Sequence, residues 1–295
     1  MLPAALFMSA CVANPQTGIT NSSSPSQVIT GPEAAGVPST STPLETTQAS
    51  NKAPVYWIGR SNEHIFLYRE FRDVSEQDNP VTRALRVMMS EKPLDPDFFS
   101  PWQNPKKLAT SVSGKNVITV DVSPDAFNSN VDADTAERAI QQLVYTATAA
   151  AASSGLIDSG QQIQVVMLVD GRTDFVAFNY VRLGSPTSRA PGMAAPVWIV
   201  SPQEGASMVE GPVTISGRST IPGGKIHWEI LRVDGEKTKT PYLNGNAVSS
   251  ANALSPGTFD LSLSLGPGSY EVRVSQIDAA NTVGRYADTR GFTVS

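Results

Sequence analysis

The patterning of this chain predicts an α+β domain, a small sheet with two helices, followed by a separate all-β sandwich. Two segments, 81–88 and 136–151, carry apolar residues at helical spacing behind capping residues, and alternating runs flank both. From residue 196 onward the helical period disappears, and short alternating runs recur between Gly and Pro turns. A length of 295 residues accommodates two ordinary domains once a polar N-terminal tail is set aside.

The chain opens on an apolar run from Leu2 to Ala10 that ends at Cys11, its only cysteine. No stretch reaches the roughly 18 apolar residues that a membrane-spanning helix requires. Ser9 and Ala10 place small residues directly before Cys11. This arrangement resembles the bacterial lipoprotein signal, which implies that the Cys11 thiol is diacylated and becomes the new N-terminus. Met8 stands where that family usually has Leu, and no Lys or Arg precedes the run. Either the signal begins further upstream or it is incomplete. Residues 1–11 are read as signal and lipidation site, the alternative being a buried free cysteine. Against a buried cysteine stands segment 12–53, 42 residues in which only Glu33, Glu45 and Lys52 are charged and no apolar period is sustained. Such a segment cannot offset its ordering entropy and is expected to be a disordered tether. As a flexible coil its ends would lie on the order of 32–39 Å apart.

The first domain is expected at 54–183. Residues 54–59 form a short strand, and 64–72 alternate well enough to return beside it as a hairpin. Asn79 caps a helix with Pro80 at its first position, Val81, Ala84, Leu85 and Met88 on one face, and Pro93 as its end. Residues 117–122 read as a clearer strand. The longest helix begins with Asp134 as cap and Glu137 three residues on, and stops at Gly155. Its stripe of Ala136, Ala139, Ile140, Leu143, Val144, Ala147 and Ala151 faces the core, with Glu137, Arg138, Gln141, Gln142 and Tyr145 opposite. Residues 163–169 form a buried strand, and Asp170-Gly171 turns the chain so that 175–181 runs back beside it.

Residues 184–195 read as a linker, and 196–295 as the sandwich. Strands are expected at 197–200, 213–217, 226–233, 259–265, 270–277 and 292–294. Trp228 is the candidate core tryptophan of an immunoglobulin-like sandwich, and Tyr270, following Pro267-Gly268, its candidate tyrosine corner. A single cysteine leaves packing alone to hold the sheets together.

Six motifs in order then carry a further resemblance. Pro54-Val-Tyr-Trp57, Leu67-Tyr-Arg-Glu-Phe71, Pro93-Leu-Asp-Pro-Asp97 with Trp102, Ile118-Thr-Val-Asp-Val122, Gln141-Gln-Leu-Val-Tyr-Thr146 and Val169-Asp-Gly171 look like the GerMN domain. That domain is known from sporulation and spore-germination proteins and from actinobacterial envelope lipoproteins. The segments Val200-Ser-Pro202, Gly257-Thr-Phe259 and Pro267-Gly-Ser-Tyr270 resemble the immunoglobulin-like domain found C-terminal to GerMN in bacterial surface proteins. The resemblance implies a non-catalytic module at the cell surface.

Chemistry is sparse. A net charge of −5 disfavours a nucleic-acid partner, which calls for a basic face. Two histidines and one cysteine leave a metal site little to work with, and no cofactor motif occurs. The carboxylate pairs Asp95/Asp97, Asp121/Asp125 and Asp132/Asp134 invite a hydrolase reading, yet each sits at a turn or cap where a structural role suffices. His64 and His227 lie in no triad-like context. Phe98, Phe99 and Trp102, crowded with prolines, form a candidate contact patch, since exposed aromatic rings anchor interfaces; folding back over the core is the competing account. The expected function is a lipid-anchored, extracytoplasmic scaffold or binding module with a peptidoglycan or envelope-protein partner. Its alternatives are a peptidoglycan-modifying enzyme and an accessory sensor in envelope signalling.

Overall fold

The structure, a computed structural model, describes residues 52–61, 64–157, 162–235, 238–252, 255–277 and 283–295. Cys11 and the expected tether up to residue 51 lie outside the described residues. The described chain is mostly β-sheet with two α-helices.

Strands β1 (Lys52–Ser61) and β2 (His64–Asp73) form an antiparallel hairpin in unbroken register, starting two residues ahead of the expected boundary. Helix α1 (Pro80–Ser90) follows. Its cap is Asn79, whose side-chain oxygen accepts the N–H groups of Val81 and Thr82 at 3.0 Å each. Strand β3 (Phe98–Phe99) then pairs with the other side of β1. Strands β4 (Leu108–Ser113) and β5 (Val117–Val122) form a second hairpin, and β6 (Gln164–Val169) lies parallel to β5. The parallel step requires a crossover, which helix α2 (Ala133–Ser153) supplies.

The first domain therefore holds two three-stranded sheets, β2-β1-β3 and β4-β5-β6, where one small sheet was expected. β4 escaped notice because it alternates between exposed and half-buried and contributes no fully buried residue. Helix α2 packs on β1 and β2 of one sheet, on β6 of the other and on α1. That position explains why Gln141, Gln142 and Tyr145, assigned to an outer face, are buried. Gln142 donates to the Tyr56 carbonyl at 2.9 Å and Gln141 to the Ser188 carbonyl at 3.2 Å, so their amides remain bonded. The cap of α2 is Asp132, not Asp134, because Asp132 Oδ1 accepts Thr135 N–H at 2.7 Å. Asp170 and Gly171 do turn, with φ of 47° and 77°. Residues 175–181 do not return along β6, however. They fold into a separate ribbon of β7 (Val176–Ala177) and β8 (Val181–Arg182).

The segment read as a linker is docked. Arg189 reaches the Tyr145 carbonyl at 3.0 Å, Ala195 N–H donates to the Leu67 carbonyl at 3.0 Å, and Ala194 and Ala195 are buried. Beyond it lie β9 (Val197–Ser201), β10 (Ala206–Met208), β11 (Gly211–Ser219), β12 (Lys225–Asp234), β13 (Thr238–Val248), β14 (Gly257–Leu265), β15 (Gly268–Ile277) and β16 (Val283–Val294). They form a five-stranded sheet, β10-β16-β15-β12-β13, and a three-stranded sheet, β14-β11-β9. One core joins the two, with Ile199, Ile215 and Phe259 from the smaller sheet and Ile226, Val272 and Phe292 from the larger. No buried period marks β13 in the sequence, because every one of its residues is exposed or half-buried, as befits an edge strand.

Tyr270 is buried and donates its hydroxyl to the Gly266 carbonyl at 2.9 Å, the bond that a tyrosine corner makes. Trp228 is only half-buried, its ring lying so close over Gly245 that a Cβ there would sit 2.5 Å away. Of the two tryptophans beyond residue 195 the fully buried one is Trp198 on β9, and it joins the core of the first domain.

The cap assignment is testable. Asp132→Ala is expected to lower stability by about 1 kcal/mol in urea unfolding. Asp134→Ala, which loses only an exposed 3.8 Å ion pair to Arg138, should change it little.

Candidate functional site

The loop after α1 is held by a buried carboxylate. Glu70 on β2 accepts the N–H groups of Leu94 and Asp95, each at 2.9 Å, so the loop is fastened to the hairpin by charge-assisted bonds. Phe98 then stacks on Tyr68 with ring centroids 4.7 Å apart. Gly59 makes room for this stack, since a Cβ there would lie 2.7 Å from the Phe98 ring. Trp102 donates its indole N–H to the Ala139 carbonyl at 3.1 Å and packs on Phe127 and Phe178.

Phe98 and Trp102 are thus buried, and Phe99 is half-buried on the sheet. Phe98 and Trp102 turn inward and the three rings do not stand exposed, although all three are among the residues that line a cleft. The cleft, of about 600 Å³, is walled by the loop against the end of α1 and lined by Met88, Met89, Leu94, Asp95, Phe99 and Ser100 among others. Leu94, 41% exposed at this cleft, is the side chain that sequence reasoning overlooked. Its exposure follows from the Glu70 anchor, and Glu70 lies too far along the chain to signal it.

Behind the cleft the loop meets the second domain. Arg290 on β16 is buried and reaches Asp95 at 2.6 Å and Asp288 at 2.8 Å, with its guanidinium 4.9 Å from the Phe98 ring centroid. Asp288 also accepts Ile199 N–H at 2.7 Å. Glu204 accepts Gly291 N–H at 2.6 Å, and Gln203 accepts Phe71 N–H at 3.0 Å. Phe66 and Tyr286 add a ring contact at 5.5 Å. Burial pushes the Asp95 carboxyl up to about 7, against the pull of Arg290 and the Asp97 N–H. Burial raises Asp288 and Glu204 likewise, and lifts the Tyr68 hydroxyl out of the ordinary range. For Arg290, burial pulls the pKa down, but Asp288, Asp95 and Glu70 outweigh it and leave it raised.

Asp121, Asp125 and Asp132 have structural partners. Asp121 accepts Gly171 N–H at 3.0 Å. Asp125 accepts Lys106 N–H at 3.0 Å, and its hydrogen bond with the Ser123 hydroxyl lowers its pKa. Asp132 is lowered by the Thr135 N–H that it caps. His64 is exposed, and His227 Nδ1 lies 2.9 Å from Asn246 Oδ1. Among the described residues no group of three or more His, Cys, Asp or Glu is arranged to hold a metal ion.

A family model matches part of the first domain. Residues 54–174 match the family described as Germane: Sporulation and spore germination. Among solved structures, the tandem GerMN domains of the sporulation protein GerM from Bacillus subtilis superimpose with 15% identity and a TM-score of 0.35. That alignment covers 47% of this chain and 45% of GerM's. CopC from Methylosinus trichosporium OB3b aligns at 20% identity and a TM-score of 0.25, covering 34% of this chain and 93% of its own. A Niemann-Pick type C2 protein from the Japanese carpenter ant aligns at 6% identity and a TM-score of 0.25, covering 34% and 92%. A sequence comparison with curated proteins returns no match.

Two outcomes test the buried cluster. Between about pH 4 and 7 the folded chain keeps a proton on Asp95 that the unfolded chain has released, so this group's stabilisation is lost as pH rises through that window. Asp95→Asn should flatten that decline in urea midpoints measured from pH 4 to 8, leaving only the slope of Asp288 and Glu204. Arg290→Met should cost about 3–5 kcal/mol, because it strands buried carboxylates without their cation.

Proposed function

We propose that this chain is a lipid-anchored, extracytoplasmic binding module of the sporulation and germination type, working by surface contact rather than turnover. The observation that carries the reading is the match of residues 54–174 to the Germane family. The cleft within it supports contact chemistry. Its walls pair apolar side chains (Met88, Met89, Leu94) with Glu91, Lys92 and Asp95, a mixture suited to an extended or branched partner. The second domain reads as an immunoglobulin-like sandwich, supported by its two facing sheets and the Tyr270 corner. Anchoring rests on the apolar run before Cys11. Among the described residues no helix is long and apolar enough to cross a membrane.

One observation favours a second reading, a peptidoglycan-modifying enzyme: Asp95 lines the cleft with its carboxyl pushed up to about 7. Its bond to Arg290 opposes that role, since a general acid needs its oxygen free for the substrate.

The full chain incubated with purified sacculi is expected to co-sediment without releasing soluble muropeptides; release would overturn the binding reading in favour of the enzyme. Expressed with its native leader and fed labelled fatty acid, the wild type should take up label and Cys11→Ser should not. Equal labelling of both would remove the anchor.

A further inference from the structure

A second concavity lies on the first domain; it shares no lining residue with the cleft, although Trp102 of the cleft packs on its Phe127 and Phe178. It has a volume of about 330 Å³ and is formed where the loop after β5 meets the ribbon of β7 and β8. Its lining residues include Asn128, Ser129, Asn130, Asn179, Phe127 and Phe175, and none of them is ionisable. The main cleft, by contrast, carries Glu91, Lys92 and Asp95.

The polar groups here are open to solvent. Asn128, Asn130 and Asn179 are exposed, and among the described residues their side-chain amides have no hydrogen-bond partner. Each amide offers two donors and a two-lone-pair acceptor, so three of them can meet a group that both gives and takes hydrogen bonds. One wall is aromatic: Phe127 packs on Phe175 at 5.1 Å and on Phe178 at 5.3 Å, and Phe175 keeps part of its ring open. The backbone that carries Asn179 is strained. Phe178 and Asn179 have φ of 50° and 65°, a conformation costly for a bulky aromatic. Trp102 and Phe127 clamp the Phe178 ring at 5.2 and 5.3 Å and hold the turn in place.

We propose that this concavity is a binding site for an uncharged sugar ring of a glycan chain. A pyranose has hydroxyls around its rim and C–H bonds on its faces. The rim matches amides that donate and accept, and a C–H face matches the negative face of an aromatic ring. A charged ligand finds no counter-charge among the lining residues and would lose hydration without return. Asp125 and Asp174, which flank the lining segments in sequence, further disfavour an anion. The volume suits one or two rings. An acetamido-bearing sugar gains most, since its amide pairs with an Asn and its methyl group meets Phe175 or Val176. The site deepens the binding-module reading and would supply it with a glycan partner, though the sugar chemistry stands without the anchor.

The test is titration of the full chain with chito-oligosaccharide and cello-oligosaccharide by calorimetry. Asn179→Gly removes an amide while suiting the positive φ, and Asn128→Ala removes a second. Binding of either sugar that weakens about tenfold in each variant, with thermal midpoints held within a few degrees, supports the site. Absence of binding to both sugars, or binding indifferent to both variants, overturns it. Persistent co-sedimentation with sacculi in these variants would then leave the main cleft as the contact, separating the failure of this site from that of the binding-module reading.

Discussion

The joint between the two halves of this molecule depends on one buried cation. Arg290 neutralises Asp95 from the first domain and Asp288 from its own strand, inside a shell closed by Phe98, Tyr68 and Glu70. Removing charges from water is expensive, and such a cluster persists only when geometry and hydrogen bonds compensate. The compensation is visible: Asp288 also takes a backbone N–H, Asp95 takes that of Asp97, and Glu70 takes two. Arg72 lies 3.6 Å from Glu70 on the other side, and burial, more than the neighbouring carboxylates, holds the Asp95 carboxyl well above the usual range against the pull of Arg290.

The same cluster orders the main cleft. Asp95 is at once a lining residue and the ligand of Arg290, and the Glu70 bonds that fix Leu94 also fix Asp95. The shape of the cleft is therefore coupled to the seating of β16, although Asp95 and Arg290 are 195 positions apart in sequence. A partner entering beside Leu94 would meet a surface held by Glu70 of the same domain and, through Asp95, by Arg290 of the other.

Much of the local chemistry was legible in the sequence, although the α2 cap falls at Asp132 rather than at Asp134. The Asn79-Pro80 start of α1, the Asp170-Gly171 turn, the β1–β2 hairpin and the alternation of β12, β14 and β15 all follow from spacing and capping. What failed were inferences about which face is covered. Gln142 and Tyr145 look polar on a helical projection, yet α2 is enclosed by both sheets and satisfies them internally. Edge strands such as β13 bury too little to show a period. The aromatic loop announced its composition but not its direction, because what turns Phe98 and Trp102 inward is Tyr68, Gly59 and the Ala139 carbonyl, all remote in sequence. The amide-lined concavity had no sequence signal at all, its Asn residues being indistinguishable from ordinary loop polar residues.

Trp198 carries a consequence of its own. It belongs by chain position to the first strand of the sandwich and by packing to the core of the α+β domain. The two domains thus share a residue that neither can surrender without leaving a void or exposing an indole. A boundary drawn at the proline before Val197 would part Trp198 from the interior in which it packs. Modularity in this architecture would reside in the pair, transferred whole.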